Sequence, residues 1–444
     1  MVPRGAHRQT DREILRLALP ALGALVAEPL YLLADTAVIG RLGTPQLDGF
    51  AIASQPLVIF VAVFIFLAYG TTAAVSRLLG AGEEREAATQ AVQSLWLAAG
   101  LGIVMAVIGW LTSDPLLRIL GGELAAEGPV ADYARTYLRI SLFGLPFMLI
   151  MLSGVGYLRG LQDTTRPLLV AAGTAALNLV LELVLIFGFD QGIGASALST
   201  VIAQAVGAGF YLWWITRAVQ RHHTSLRPDL GVLANLAIAG RDLFFRTAAL
   251  RGSFTVATAV AARLGPIDLA AHEVTFQIWA FLAFVQDAIA IAGQAMIGRF
   301  LGAGDRDQAR RVARRMVQWG LAAGTISALL VLALKPWLPG VFSTDEAVVS
   351  LSGFLLWHLA VSQPINGVVF TLDGILIGAG DLGWLARAMW ISAVVFVPLC
   401  LVVLLFDAGV GWVWAALIVF MAVRLATLWT RYRTDAWLKL GAGL

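Results

Sequence analysis

The chain has 444 residues, 59% of them hydrophobic and 13% charged, with a mean hydropathy of +0.81. Soluble domains average about 45–50% apolar and ~25% charged residues, so this composition excludes an ordinary soluble protein. The net charge of +3 does not signal nucleic acid, because the basic residues fall in segments that flank apolar runs.

Apolar runs of 20 residues or more recur from end to end, which predicts an all-α, polytopic membrane protein. A β-barrel would show ~10-residue alternating segments instead. Residues 1–16 are polar, and the apolar segment after them is long, bears acids and lacks a clear cleavage site. It reads as a retained span and not as a signal peptide. Twelve spans are expected, near 14–40, 50–76, 90–112, 132–158, 167–189, 193–216, 243–264, 272–298, 316–334, 350–377, 384–406 and 411–432. The longest gap, Arg217 to Arg241, contains RHHTSLRPD. It divides the chain into an N-terminal six-helix lobe (1–216), a cytoplasmic inter-lobe loop (217–240) and a C-terminal six-helix lobe (241–444).

With the N-terminus inside, cytoplasmic segments hold 23 of the 31 lysines and arginines. The opposite side holds six, namely Arg41, Arg118, Arg135, Arg139, Arg263 and Lys335, while Arg246 and Arg251 fall within span 7. The positive-inside rule then places both termini in the cytoplasm. The run Arg310 to Arg315, RRVARR, reads as a solvated, lipid-facing loop helix.

The two halves repeat. At a shift of 222, Arg41-Leu42-Gly43 matches Arg263-Leu264-Gly265, and the six residues from Arg77 to Gly82 match those from Arg299 to Gly304. At a shift of 218, Pro146, Gly156, Gly160 and Asp163 match Pro364, Gly374, Gly378 and Asp381. Six spans separate the copies, so both have the same orientation, a parallel repeat about a pseudo-twofold axis along the membrane normal. The repeat also acts as an internal control: Asp35 shifts onto Ala257, Asn178 onto Phe396 and Glu182 onto Cys400. Those polar groups belong to the N-terminal half alone.

Span 1 carries Glu28 and Asp35, seven residues apart, so with Tyr31 they form one stripe along a helix. A charge at mid-bilayer costs at least ~2.5–3.5 kcal/mol on insertion scales, which makes each acid a functional candidate. Glu28 can also be read as a solvated residue near a helix end. Span 5 reads TAALNLVLELVLIFGF, with Asn178 and Glu182 at i and i+4 on one face. If Glu182 and Asp35 share a cavity, burial and repulsion disfavour two negative charges there, and a proton or a cation can alternate in the site. A hydrogen-bonded acid that only stabilises helix packing is the plainer alternative. In the C-terminal half, Arg246, Arg251, Glu273, Asp287 and Asp373 are second-rank candidates, either as structural ion pairs or as an ion or anion site. Cys400 is the lone cysteine, no HExxH or Cys/His constellation is present, and neither Lys335 nor Lys439 follows the glycine of a nucleotide-binding loop. ATP-driven transport, a metal and a cofactor are not expected.

The stretches PAL…LADTAVIGRLG, LRGLQDTTRP, LNLVLELVLIFGF, RLLGAG with RFLGAG, and GILIGAGD occur in an order and spacing that resemble the multidrug and toxic compound extrusion (MATE) transporters, in their DinF-like branch. The resemblance covers nearly the whole chain. It implies two six-helix lobes around a cleft, and antiport of amphipathic, mainly cationic compounds against protons or sodium at an N-lobe acidic site. It implies ion coupling at Asp35, Asn178 and Glu182, cavity roles for Tyr31, Tyr137 and Thr200, and a helix bend at Pro20. The span-5 acid is commonly Asp in such relatives and is Glu182 here, so the coupling ion does not carry over. Some DinF-like members resemble exporters of organic acids, which Arg246 and Arg251 would suit. A lipid-handling or non-transporting membrane protein is the reading from another class. The resemblance further implies a monomer in the plasma (inner) membrane, with a small molecule and the lipid bilayer as partners.

Overall fold

The computed structural model describes residues 4–443, apart from the side chains of residues 4–7, 62, 124 and 125. Its helices in chain order are α1 (Arg4–Ile39), α2 (Thr44–Phe64), α3 (Phe66–Gly80), α4 (Glu84–Leu111), α5 (Ser113–Gly121), α6 (Pro129–Leu142), α7 (Leu145–Gly160), α8 (Thr165–Leu183) and α9 (Ile193–His222). After them come α10 (Leu230–Leu264), α11 (Pro266–Gly302), α12 (Arg306–Leu334), α13 (Leu338–Phe342), α14 (Glu346–Gly378), α15 (Leu382–Leu405) and α16 (Val410–Arg433). No strand occurs among the described residues.

Ten of the described helical stretches are long and apolar enough to cross a membrane, and α6 with α7 makes an eleventh span bent by 48°. The twelfth is α10, whose 35 residues include Arg241, Asp242, Arg246 and Arg251 and are less apolar for it. The chain thus has the all-α membrane architecture its sequence predicts, six spans to each half. Large apolar side chains such as Leu111, Ile119, Leu405 and Phe406 are exposed, as expected where the surrounding solvent is lipid.

Two compact units form, Gly23–Gly240 and a second made of Arg241 onward together with the chain up to Leu22. This differs from the sequence boundaries at two places. The first half of α1 clusters with the C-terminal unit, for a reason visible in its acids. Arg315 grips Asp11 with Nε and NH2 at 2.6 and 2.7 Å, Trp319 Nε1 donates to Asp11 at 2.8 Å, and Arg299 NH2 donates to Glu13 at 2.8 Å. The expected loop 217–240 is mostly helix, because α9 continues to His222 and α10 begins at Leu230. Only the short connector between them is irregular. Gln93 and Trp96 of α4 pin it by donating to the carbonyls of Arg227 and Leu226 at 2.9 and 2.8 Å. The RRVARR run likewise lies in the first turns of the continuous α12. There Arg310 pairs with Asp435 at 2.5 Å and Arg315 with Asp11.

The internal repeat reappears in backbone geometry. Gly82 and Gly304, 222 residues apart, both take positive φ, 78° and 74°, just after the helices that precede them. Gly156 and Gly374 hold α7 and α14 against backbone: a Cβ on Gly156 would stand 2.6 Å from the Ala68 carbonyl, and one on Gly374 would stand 2.4 Å from that of Ala290. Ala68 and Ala290 are themselves related by the 222 shift. Small residues at such crossings let helices approach closely where lipid offers no hydrophobic drive for association.

Candidate functional site

Within the unit Gly23–Gly240, α1, α6, α8 and α9 bring the predicted N-lobe residues together. Asp163 sets the start of α8, its Oδ1 accepting from the backbone N–H groups of Thr165 and Arg166 at 3.1 and 3.0 Å. Asn178 and Glu182 lie four positions apart on the buried face of that helix. Directly after Glu182 the backbone widens into a π-helical turn over Val184–Gly188, a distortion that often accompanies functional sites.

The polar contacts form a connected chain. Thr200 Oγ1 donates to Asn178 Oδ1 at 3.2 Å and to the Ser196 carbonyl at 3.1 Å. The Tyr31 hydroxyl lies 2.8 Å from Thr200 Oγ1 and also reaches Asp35. Asn178 Nδ2 then donates to Asp35 Oδ1 at 2.9 Å. Asp35 and Glu182 neighbour one another, at 1% and 0% exposure, and Tyr137 is buried alongside them, packed edge-on against Phe50. Asp35 Oδ2 and both oxygens of Glu182 have no donor in hydrogen-bonding geometry among the described residues. Buried acceptors are almost always satisfied, so three such oxygens in one place are open to a proton, a water or a cation.

In front of this pair lies a cavity of about 160 Å³. Tyr31, Asn178 and Thr200 form the wall shared with the acids, and Glu28, Thr174 and Gln204 supply further polar groups among alanines and Met151. Glu28, of second rank in the sequence, is therefore exposed on the cavity wall, whereas Asp35 and Glu182 sit behind the Tyr31–Thr200–Asn178 screen. Gln204 and Thr174 were not singled out from sequence, as neutral polar residues in an apolar span carry little signal. Pro20 lies inside α1 in the stretch that clusters with the other unit.

In that other unit, Asp373 Oδ2 accepts from Arg246 NH2 at 2.7 Å and from Arg424 NH2 at 2.5 Å, all three side chains being buried. Arg424 also contacts Met421 Sδ at 3.4 Å and stands 5.8 Å from the Phe420 ring centre. Arg251 is exposed and takes no part. Glu273 and Asp287 are half-buried on α11. Sequence reading missed Arg424 by counting it with the cytoplasmic C-terminal end. Its place inside MAVRLATLW was the available signal. No group of three or more His, Cys, Asp or Glu side chains suited to a metal ion occurs among the described residues.

The MatE family model matches residues 20–184 and 243–402, one segment in each half. The chain is 34% identical to Protein DETOXIFICATION 44, chloroplastic, of Arabidopsis thaliana, over 96% of this chain and 83% of that protein. It is 30% identical to DNA damage-inducible protein F of Escherichia coli, over 96% and 94% of the two chains. The bent form of the Vibrio cholerae MATE transporter VcmN superposes with a TM-score of 0.88 at 21% identity, covering 98% of each chain. The chain belongs to the MATE family of membrane transporters, among its DinF-like members.

Proposed function

We propose that the protein is a secondary antiporter that exports amphipathic, mainly cationic organic compounds in exchange for protons or sodium. The carrying observation is the set of orphaned oxygens on Asp35 and Glu182 behind a cavity that Glu28 also lines. An acid pair of this kind holds a proton or a small cation in one phase of the cycle. When the ion leaves, the site carries a net negative charge that attracts a cationic substrate into the cavity. Asn178, Tyr31 and Thr200 orient Asp35 and separate it from the substrate space, and Tyr137 closes the site from α6. Alternating access then links ion occupancy to the side on which the cavity opens, as a shift between two states biased by the bound ion. Pro20 is the candidate hinge in α1.

The same reading places the protein as a monomer in the plasma membrane, both termini cytoplasmic. Moving Arg424 from the cytoplasmic end into α16 leaves 22 cytoplasmic lysines and arginines against six, so the bias still favours that orientation. Export of organic acids is the second reading. The shared Asp373 spends charge of Arg246 and Arg424 on a carboxylate, which weakens it.

The test is efflux from proteoliposomes under an imposed proton or sodium gradient, with a panel of cationic dyes and citrate-like anions. Gradient-dependent cation efflux that is lost in Asp35→Asn and Glu182→Gln supports the proposal. Unchanged coupled efflux in both variants, or flux of anions alone, overturns it.

A further inference from the structure

α4 ends at Leu111 near the point where α6 gives way to α7, at Phe143 and Gly144, with the 48° bend. Pro146, in the first turn of α7, has no N–H to continue the hydrogen-bond ladder of α6. Beside the bend lies a groove of about 190 Å³, lined by Ala106, Val107, Trp110, Leu111, Leu142 and Phe143. Every lining side chain is apolar. Trp110, Leu111 and Phe143 are exposed, and the Trp110 and Phe143 rings meet edge-on at 5.4 Å.

A basic cluster stands over the end of this groove. The Arg139 guanidinium lies 5.5 Å from the centre of the Trp110 ring. Its Nε donates to Ser113 Oγ at 3.2 Å and its NH2 to Asp114 Oδ2 at 3.4 Å, both long contacts that leave NH1 for another acceptor. Arg135 holds Asp114 more tightly, at 2.7 Å, and also bonds Asp132, while Arg118 acts on Asp114 from a greater distance. Three guanidinium groups therefore act on Asp114, and the charge of Arg139 is only partly neutralised at the edge of an apolar slot. An aromatic ring at that edge is the usual residue of a membrane–water boundary.

We propose that the groove and Arg139 form a binding site for one anionic phospholipid, its acyl chain lying along Trp110 and Phe143 and its phosphate on the Arg139 guanidinium. The charge selects an anionic headgroup over a zwitterionic one, and the slot selects a lipid over a free phosphate. α6 carries Tyr137 two residues from Arg139, so the occupied site would hold the helix that closes the acid pair.

Native mass spectrometry of the detergent-solubilised full-length protein, titrated with phosphatidylglycerol or phosphatidylcholine, tests this. One phosphatidylglycerol should bind in preference to phosphatidylcholine. Arg139→Gln should weaken it about five-fold, the worth of one arginine at an anionic headgroup. Arg139→Lys should keep most of the affinity, and Val107→Trp, which fills the groove from an exposed position, should lower it without loss of the folded protein. Equal retention of the two lipids, or an unchanged affinity in Arg139→Gln and Val107→Trp, overturns the proposal. Displacement by glycerol phosphate at the concentrations at which the lipid binds would make it a headgroup-only anion site and overturn the acyl assignment.

Discussion

Asn178 donates from Nδ2 to Asp35 Oδ1 at 2.9 Å, joining α8 to α1 across 143 residues of chain. That bond satisfies Oδ1 and leaves Oδ2 of Asp35 without a donor. Asn178→Ala removes the donor and orphans a second Asp35 oxygen. Losing a partner to a buried group costs about 1–3 kcal/mol, so gradient-driven efflux should fall by roughly ten-fold or more. Proteoliposome efflux beside an expression and thermal-stability control measures this. Wild-type rates in Asn178→Ala would show that the bond serves packing alone.

Arg246 and Arg424 share one carboxylate oxygen of Asp373. Asp373→Asn should therefore destabilise more than Arg424→Met. The first removes the carboxylate common to two buried cations, whereas the second removes one cation and leaves an ion pair. Breaking a buried pair costs about 3–5 kcal/mol. Thermal unfolding in detergent gives the order, and a midpoint in Asp373→Asn equal to that of the wild type would contradict it.

The repeat makes a paired forecast. Gly156→Ala and Gly374→Ala each drive a methyl group into a backbone carbonyl, at 2.6 and 2.4 Å, and should each destabilise by about 1–3 kcal/mol. Gly173→Ala, on α8 with nothing within 4 Å of the added carbon, should be neutral or stabilising by up to ~1 kcal/mol. Comparing the three melting curves separates close approach from helix propensity.

At the edge of the lipid groove, the hydrogen bond from Arg135 holds the Asp114 carboxyl below its ordinary value, against a small opposing effect of burial. A carboxyl depressed on folding contributes stability that is complete above the unfolded value near ~3.9 and is lost as pH falls through the folded one. Asp114→Asn should therefore flatten the loss of stability below about pH 4 and leave the profile above pH 5 parallel to that of the wild type. Melting curves recorded across that range check it. An unchanged acid limb would assign the loss to other carboxyls.

Much of the N-terminal site was legible because it breaks a compositional rule. Asp35, Asn178 and Glu182 are polar groups in apolar spans, and the repeat places Ala257, Phe396 and Cys400 at the corresponding positions. The bend between α6 and α7 was hidden inside a span read as continuous from 132 to 158, since Gly144 and Pro146 are tolerated in membrane helices. Arg424 was hidden by its closeness to Arg431 and Arg433, which made it look like part of a flank. Of the cavity wall, Tyr31, Asn178 and Thr200 were named from the sequence and Gln204 and Thr174 were not. Glu28 and Gln204 line one cavity only because α1 and α9 both border it, a relation that no spacing along either helix encodes.

The division of α1 has a practical corollary for dissecting the protein. A gene split in the irregular connector after His222 would give an N-terminal fragment that still owns Asp11 and Glu13. The complementary fragment would then present Arg315, Trp319 and Arg299 without the acids that neutralise and cap them. The first fragment thus carries in residues 4–22 a complementation tag native to the protein, and deleting that stretch from it should weaken reassembly with the second.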